Sequence, residues 1–537
     1  MPLNHLNNFF NHKTKNVVLA AALLAVAGLA SRLLGFARNA LLAYFYGAGD
    51  VLDAYFLAFR LPDFFFNLFL FGAFSAGFVP VFIKIKSQNK DQAWQLANDI
   101  LSIAFVVFSV FGVVFFLLAP WLLKLIAPGF GPEKLALAVQ LSRVMFLQPV
   151  FLGLSVVFSG ILQASHKFLS YALAPIFYNV GIIFGILVLA PRLGPAGLAW
   201  GVVAGAALHM LVQYPAARSS GFRYRPVFSF REAGLKRIFG IIIPRSASLI
   251  LNQLNLVIMA AIASFLGTGR VAVFNLANDL NGLVLGVVAI PLGIAVFPVL
   301  SQAISKNHLA DFAEVLLRTA RQLLFVMIPS AILFFILRAQ IVRLTLGYGK
   351  FDWSDTILTI QTLGLFLVGL VFQGVLTLLL RGFFAWEDTR TTFWVLLCGI
   401  LVSLGASLVL APWLDVPALA LALSLGAIFN CVVLGFILCR RVDLRIGRLV
   451  RPVLVFVGGG LAAGLAAYAS LYGLASFLDT HKVLHLLVQF AGAALAGVMA
   501  YLAVNAWFET EEWHGIKAKF GLKETALPDQ LEEEVIK

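Results

Sequence analysis

Charge is what this sequence has least of. Asp, Glu, Lys and Arg make up only 12% of its 537 residues, against roughly a quarter in a soluble domain, so a water-facing surface cannot be built from it. Cysteine is scarcer still. Cys398, Cys431 and Cys439 all fall in apolar runs without CxxC spacing, which excludes a disulfide framework or a thiolate metal site and leaves them as packing residues. HExxH, GxSxG, P-loop and GxGxxG patterns are also missing, and His166 and His209 stand alone. Nothing therefore points to an enzyme, a metal or an ATP site. His166 beside Lys167 reads as a loop, and His209 as a helix end. In place of charge the chain has 61% hydrophobic residues, 50 of its residues being Phe.

Apolar runs of bilayer length, about 20 residues each, recur from Val17 to Trp507. In hydrocarbon each must be a helix, because its backbone has no water to bond. The expected class is an all-α polytopic membrane protein of about 14 transmembrane helices, starting near residues 17, 51, 98, 135, 168, 195, 235, 270, 312, 354, 391, 416, 450 and 484. The net charge of +14 does not imply nucleic acid, because the cations collect in alternate loops. One loop holds Lys84, Lys86 and Lys90, another Arg218, Arg223, Arg225, Arg231, Lys236 and Arg237, and a third Arg440, Arg441, Arg445, Arg448 and Arg451. Turns between them, such as Gly47-Ala48-Gly49 and Trp413-Leu414-Asp415, are charge-poor. By the positive-inside rule both termini are expected in the cytoplasm. Lys13 and Lys15 before Val17 to Ala30 resemble a secretory signal, but the segment continues through Arg32 and Arg38 into further apolar helix. The charged stretch from Glu509 to Lys537 reads as a cytoplasmic tail.

An internal repeat organises these helices. Gly77-Phe78-Val79-Pro80-Val81-Phe82 returns as Gly293-Ile294-Ala295-Val296-Phe297-Pro298-Val299-Leu300 after about 218 residues. Gly47-Ala48-Gly49 matches Gly267-Thr268-Gly269, Leu57 to Leu61 matches Leu276 to Leu280, and Trp121 to Gly129 loosely matches Ile341 to Gly349. With about six helices per repeat, the halves share one orientation, which suits alternating access by rocking lobes. The expected layout is a cytoplasmic N-terminus (1–16), an N-lobe of six helices (17–217), a basic cytoplasmic linker (218–234), a C-lobe of six helices (235–440), two further helices (441–508) and the tail (509–537).

Polar residues inside spans are expensive, on the order of 2.5–3.5 kcal/mol for a charge, so their placement is informative. Ser31, Gly35 and Arg38 share a face of the first helix, with Arg32 about 100° round from Ser31. Asp53, Arg60 and Asn67 recur every seven residues on the second, which Pro62 interrupts. Arg245, Ser248, Asn252 and Asn255 form a stripe on the seventh, and Asn275, Asn278, Asp279 and Gly282 on the eighth. Four polar faces, on the first two helices of each repeat, point to a polar cavity. The competing reading is interhelical glue with Asp53–Arg60 and Arg245–Asp279 as buried ion pairs. Arginine forks match phosphate oxygens, which favours a phosphorylated substrate. Gly458-Gly459-Gly460 reads as close packing, and Arg318, Arg321 and Arg338 as interface snorkellers.

Several of these segments, in order, resemble the lipid II flippases of peptidoglycan synthesis, the MurJ/MviN family of the multidrug/oligosaccharidyl-lipid/polysaccharide exporter superfamily. They are Ser31-Arg32-Leu33-Leu34-Gly35-Phe36-Ala37-Arg38, Gly47-Ala48-Gly49, Asp53-Ala54-Tyr55-Phe56, Phe59-Arg60-Leu61-Pro62, Gly72-Ala73-Phe74-Ser75 and Phe78-Val79-Pro80. Ala127-Pro128-Gly129-Phe130, Tyr348-Gly349-Lys350-Phe351, Gly382-Phe383-Phe384-Ala385 and Asp388-Thr389-Arg390-Thr391 continue the likeness over nearly the whole chain. The resemblance implies two six-helix lobes plus two helices forming a groove for the lipid tail, and a substrate site using Ser31, Arg32, Arg38, Asp53 and Arg60. Two family arginines do not carry over. Phe66, followed by Asn67, stands at one position and Asp279 at the other, while Arg245 stands where the family is usually uncharged. Arg245 is therefore expected to replace the missing cations in part.

The resemblance implies a flippase of the bacterial cytoplasmic (inner) membrane. It would carry an undecaprenyl-diphosphate-linked muropeptide from the cytoplasmic to the outer leaflet, with the candidate site Ser31, Arg32, Arg38, Asp53, Arg60, Asn67, Arg245, Asn252, Asn255, Asn275 and Asp279. No cofactor is expected beyond the membrane potential: Asp53 and Asp279, as lone carboxylates beside arginines, read as counter-ions, and the alternative is that they bind a coupling cation, H+ or Na+. Expected partners are the lipid-linked substrate, membrane lipids and cell-wall synthesis machinery. Rival readings are a flippase for another lipid-linked glycan, a cation-coupled antiporter of the same superfamily, a non-transporting membrane scaffold and a membrane-embedded glycosyltransferase.

Overall fold

A computed structural model describes residues 17–70, 73–225, 250–479 and 482–519, which are helical with no strand among them. In chain order the helices are α1 (Val17–Tyr46), α2 (Asp50–Leu70), α3 (Ala73–Gln88), α4 (Lys90–Ile126), α5 (Pro132–Met145), α6 (Leu147–Ala164), α7 (Phe168–Phe184, prolonged to Leu193), α8 (Ala196–Leu211) and α9 (Tyr214–Ser219). There follow α10 (Ile250–Phe265), α11 (Arg270–Val284), α12 (Ile290–Ser305), α13 (Leu309–Thr345), α14 (Trp353–Ala385), α15 (Thr389–Leu414), α16 (Val416–Arg441), α17 (Gly447–Ala475), α18 (Val483–Trp507) and α19 (Glu511–Lys519). Eleven helices among the described residues are long and apolar enough to cross a membrane, several of them formed by adjoining elements such as α5 with α6 and α11 with α12. The polytopic all-α class is as expected, and most starts fall within a few residues of those read from the apolar runs. The start expected near 235 lies outside the described residues.

Local chemistry sets the ends. Asn89 caps α4 by accepting from the Asp91 and Gln92 amides at 2.9 and 3.1 Å, Asp388 caps α15 through the Thr391 amide at 2.9 Å, and Pro132 opens α5 where no amide is needed. Two π turns, Gly185–Leu189 and Leu285–Ala289, each lie two residues before a proline, Pro191 and Pro291. The missing proline N–H removes one helical bond, and the widened turn takes up the slack.

The described residues pack as two compact units. The first comprises those up to Leu283 together with Val342–Gly369 and Glu387–Leu434. Its aromatic core gathers Phe65, Phe78, Phe82, Phe108, Phe158 and Phe222, with Phe66 packed against it. Phe66 is thus lipid-like packing where the family resemblance implied a cation. Helices α7 and α8 meet through glycine, since a Cβ on Gly181 would overlap Gly205 Cα and one on Gly185 would overlap Gly201 Cα. Between α6 and α8, Ser155 Oγ lies 2.7 Å from His209 Nδ1 and accepts from Gln213 Nε2 at 2.6 Å, while Ser159 donates to Gln213 at 2.8 Å. His209 does sit in the last turn of its helix, as expected, and serves as half-buried interhelical glue. His166 has a left-handed backbone (φ 56°) in the turn after α6, and the buried Lys167 donates to Ala216 O at 3.2 Å.

The second unit comprises Val284–Ile341, Leu370–Trp386 and the described residues from Gly435 onward. Here α17 and α18 pair through small residues and pack on α13. Gly459 faces the Tyr501 ring, Gly460 faces Ile332, and Tyr501 donates to Phe325 O at 2.6 Å. Close packing explains Gly459 and Gly460, and Gly458 has open space. Arg321 does not snorkel. It is clamped by Glu511 and Glu512, each at 2.6 Å, so α19 is tied to α13. Arg338 lies over Phe335, 4.3 Å from the ring centre. The three cysteines are free.

The α7–α8 contact gives a direct test. Gly205→Val overpacks a backbone-to-backbone contact and should cost about 1–3 kcal/mol, read as a lowered melting temperature in detergent, whereas Gly405→Ala, in open space within the helical α15, should shift melting less.

Candidate functional site

Polar groups of the first unit collect in two places. The first lies where α1, α2, α7 and α11 come together. Asn179, an isolated amide in the apolar α7, donates to Ser31 O at 3.1 Å and to Ser31 Oγ at 3.3 Å. Its Oδ1 accepts from Arg38 Nη1 at 3.4 Å, and a Cβ on Gly35 would lie 3.8 Å from that same oxygen. The face predicted from Ser31, Gly35 and Arg38 is therefore one face, and Asn179 meets all three.

From Arg38 the network runs on. Arg38 Nε donates to Asn39 Oδ1 at 3.1 Å, and Asn39 Nδ2 donates to Asp279 Oδ2 at 2.8 Å. Arg60 of α2 donates through Nη2 to Asn275 Oδ1, and Asn275 in turn donates to Val271 O at 2.7 Å. Asn275 and Asp279 are one helical turn apart, so α11 presents an amide to one arginine and a carboxylate toward the other. Asp63 and Asp279 both lie within electrostatic reach of Arg60, and Arg38 within reach of Asp279. Arg60 Nε is buried and makes no hydrogen bond.

The second place is a seal of short loops. Asp53 is fully buried and accepts from the Gly269 and Ala272 amides, both at 2.7 Å. These are orphan donors at the start of α11, where a carboxylate is favoured by both the amides and the helix dipole. Lys134, on α5, pairs with Asp53 and with Asp50, the latter at 2.8 Å. The Asp53–Arg60 ion pair of the competing reading is thus replaced by Asp53–Lys134. Around it the Ala48 amide donates to Asp355 at 3.0 Å, Thr268 donates to Asp50 at 3.1 Å, and Arg270 pairs with Asp415 at 2.9 Å.

The glycines of this seal follow the repeat. A Cβ on Gly129 would run into Ser264 O, and one on Gly349 into Tyr44 O. Tyr44 and Ser264 are 220 residues apart, as are Gly129 and Gly349. Each half therefore seats its glycine on the end of a helix of the other half. Gly349, at φ 73°, adopts a conformation that L side chains rarely take, and beside it the Lys350 amide donates to Tyr44 O at 2.8 Å.

The remaining candidates are not joined to either group. Arg32 is half-buried and, among the described residues, makes no hydrogen bond or ion pair. Asn252 is exposed, and Asn255 has a buried carbonyl oxygen without a partner. Arg245 lies outside the described residues, as does the side chain of Asn67. Sequence reasoning missed Lys134, Asn39 and Asn179. Asn179 carried a signal, an amide alone inside a long apolar run, whereas Lys134 had only its place after Gly131-Pro132-Glu133.

The family model described as "Lipid II flippase MurJ" matches residues 42–492. A relative from Rhizobium tropici named "Probable lipid II flippase MurJ" is 32% identical over 498 residues, which cover 89% of this chain and 92% of the relative. "Lipid II flippase MurJ" of Burkholderia cenocepacia is 31% identical over 430 residues, covering 78% and 83%. Among solved structures, "Lipid II flippase MurJ, inward closed conformation" matches with a TM-score of 0.74 at 22% identity, over 91% of this chain and 98% of that one. An inward-facing multidrug resistance MATE family transporter of the MOP superfamily matches at 0.62 and 18%, over 76% and 94%. These two likenesses show the fold alone.

The buried Asp53–Lys134 pair makes a stability prediction. Lys134→Met leaves a fully buried carboxylate without its cation and should cost about 3–5 kcal/mol. Adding Asp53→Asn should recover part of that loss, measured as a coupling in a double-mutant cycle of thermal melting.

Proposed function

This chain belongs to the MurJ family of lipid II flippases, and we propose that it moves lipid II, an undecaprenyl-diphosphate-linked muropeptide, from the cytoplasmic to the outer leaflet of the bacterial inner membrane. No bond is made or broken. The observation that carries this reading is the convergence of Arg38, Arg60, Asn39 and Asn275 on a buried polar cluster inside apolar helices. A diphosphate offers the oxygen geometry to which arginine forks bind, and Arg60 Nε has a donor to spare. The polyprenyl tail stays in lipid, with α17 and α18 forming its groove.

In this reading the basic loops and both termini face the cytoplasm. The loop seal at Asp53, Gly129, Gly269 and Gly349 then faces outward, and the lobes rock to open it. An inside-negative potential favours outward movement of a diphosphate by about 2.3 kcal/mol per charge per 100 mV, about 4–5 kcal/mol for two charges. That is a sufficient driving force without ATP. Arg32 would meet the headgroup on its way to Arg38, and Arg245 would add a further cation.

Two experiments test the proposal. Depleting the protein should raise lipid II in the inner leaflet, with rescue by wild type and little or none by Arg38→Ala. Equal rescue by that variant removes Arg38 from the site, and accumulation of a different lipid-linked glycan reassigns the substrate. Separately, Asp50→Cys with Thr268→Cys, joined through two disulfides by a short bis-methanethiosulfonate linker across the seal, should stop flipping, and reduction of those disulfides should restore it. Full flipping in the linked form means that the seal does not have to open.

A further inference from the structure

The Arg38–Arg60 cluster is unusual for an anion site in holding as many carboxylates as cations. Arg60 lies within electrostatic reach of Asp63 and Asp279, and Arg38 within reach of Asp279, so two positive charges are set against two negative ones. A site built only to bind a diphosphate tightly would not place Asp279 there, because a like charge beside an anion lowers its affinity. Asp279 is nevertheless held in place. Its Oδ2 takes the Asn39 amide at 2.8 Å, and Asn39 Oδ1 takes Arg38 Nε at 3.1 Å, so one asparagine relays the carboxylate to the guanidinium. Such a chain polarises along its length. On the same helix, one turn earlier, Asn275 occupies one nitrogen of Arg60 while Nε stays buried and unbonded.

We infer that Asp279 is an exchangeable counter-ion that sets the affinity of the site. In the empty state it balances Arg38 through Asn39, an incoming diphosphate takes its place, and its return helps to expel the lipid. A transporter needs that return. A site that grips its substrate equally in every conformation shifts no equilibrium, whereas a resident anion gives the arginines somewhere to go when the lipid leaves. The inference rests on the reading that Arg38 and Arg60 hold the diphosphate, and the experiment separates the two.

The full-length protein in nanodiscs is titrated with a polyprenyl diphosphate. Asp279→Asn retains size and can still accept from Asn39, so it removes the charge and little else. It should bind about tenfold more tightly, about 1.4 kcal/mol, while rescuing lipid II flipping several-fold less well than wild type. Tighter binding with slower transport is an outcome that a merely structural role for Asp279 does not produce, since misfolding weakens both. Unchanged or weaker binding by a folded Asp279→Asn overturns the inference. If that variant does not fold, Asp279→Ser is titrated in its place with the same expectation and the same overturning result. Arg38→Ala is the control for the underlying reading: if it binds the diphosphate as wild type does, the site assignment fails, whatever Asp279 does.

Discussion

In hydrocarbon a backbone amide or carbonyl has no water to turn to, and every other feature of this structure depends on how that demand is met. Over most of the chain the helix meets it internally. The informative places are those where it cannot. Ahead of Pro191 and Pro291 the helix widens into π turns. At the start of α11 the orphan amides of Gly269 and Ala272 are handed to Asp53, and the Lys350 amide is handed to Tyr44 O. A rule that forces helices thus also fixes which loop must touch which acceptor, and so shapes the seal.

Charges are sorted by the same economy. Asp53 serves a helix start and Lys134 rather than Arg60, with which it shares a stripe. Arg38 and Arg60 are held by asparagines. Amides suit this work because each can accept from a cation on one side and donate to a carboxylate on the other. Local neutrality is what lets two guanidinium groups persist inside apolar helices before any substrate arrives.

The fold was legible to the extent that periodicity and apolar length decide it. The starts of α2, α7, α8, α11, α14, α16 and α18 follow from apolar runs and their Gly, Pro and Asp punctuation. The face of Ser31, Gly35 and Arg38 was legible because all three lie on one helix, where spacing fixes direction. Partners across the sequence were not. Nothing within the α2 stripe says that Asp53 will meet Lys134, 81 residues on, or the amides of α11. Arg60 and Asp53 are two turns apart on one helix, which made a pair between them plausible, but the buried position of Asp53 is nearer the loops than the cluster. Arg321 read as a snorkelling cation because its acidic partners lie in the tail, about 190 residues later. Asp279 was visible as a departure from a family pattern, while its link through Asn39 joins residues 240 apart in the chain.

The exchange of contacts in the seal has a further consequence. Gly129 rests on the chain at Ser264 and Gly349 on the chain at Tyr44, which is the reciprocity of an isologous interface, where residue i meets j and j meets i. Such an interface needs nothing from the covalent connection between its halves. It is the contact that two identical half-length chains would make about a two-fold axis, so the seal fits an origin in a dimer whose subunits were later fused, and its two glycine seats are one inherited solution used twice.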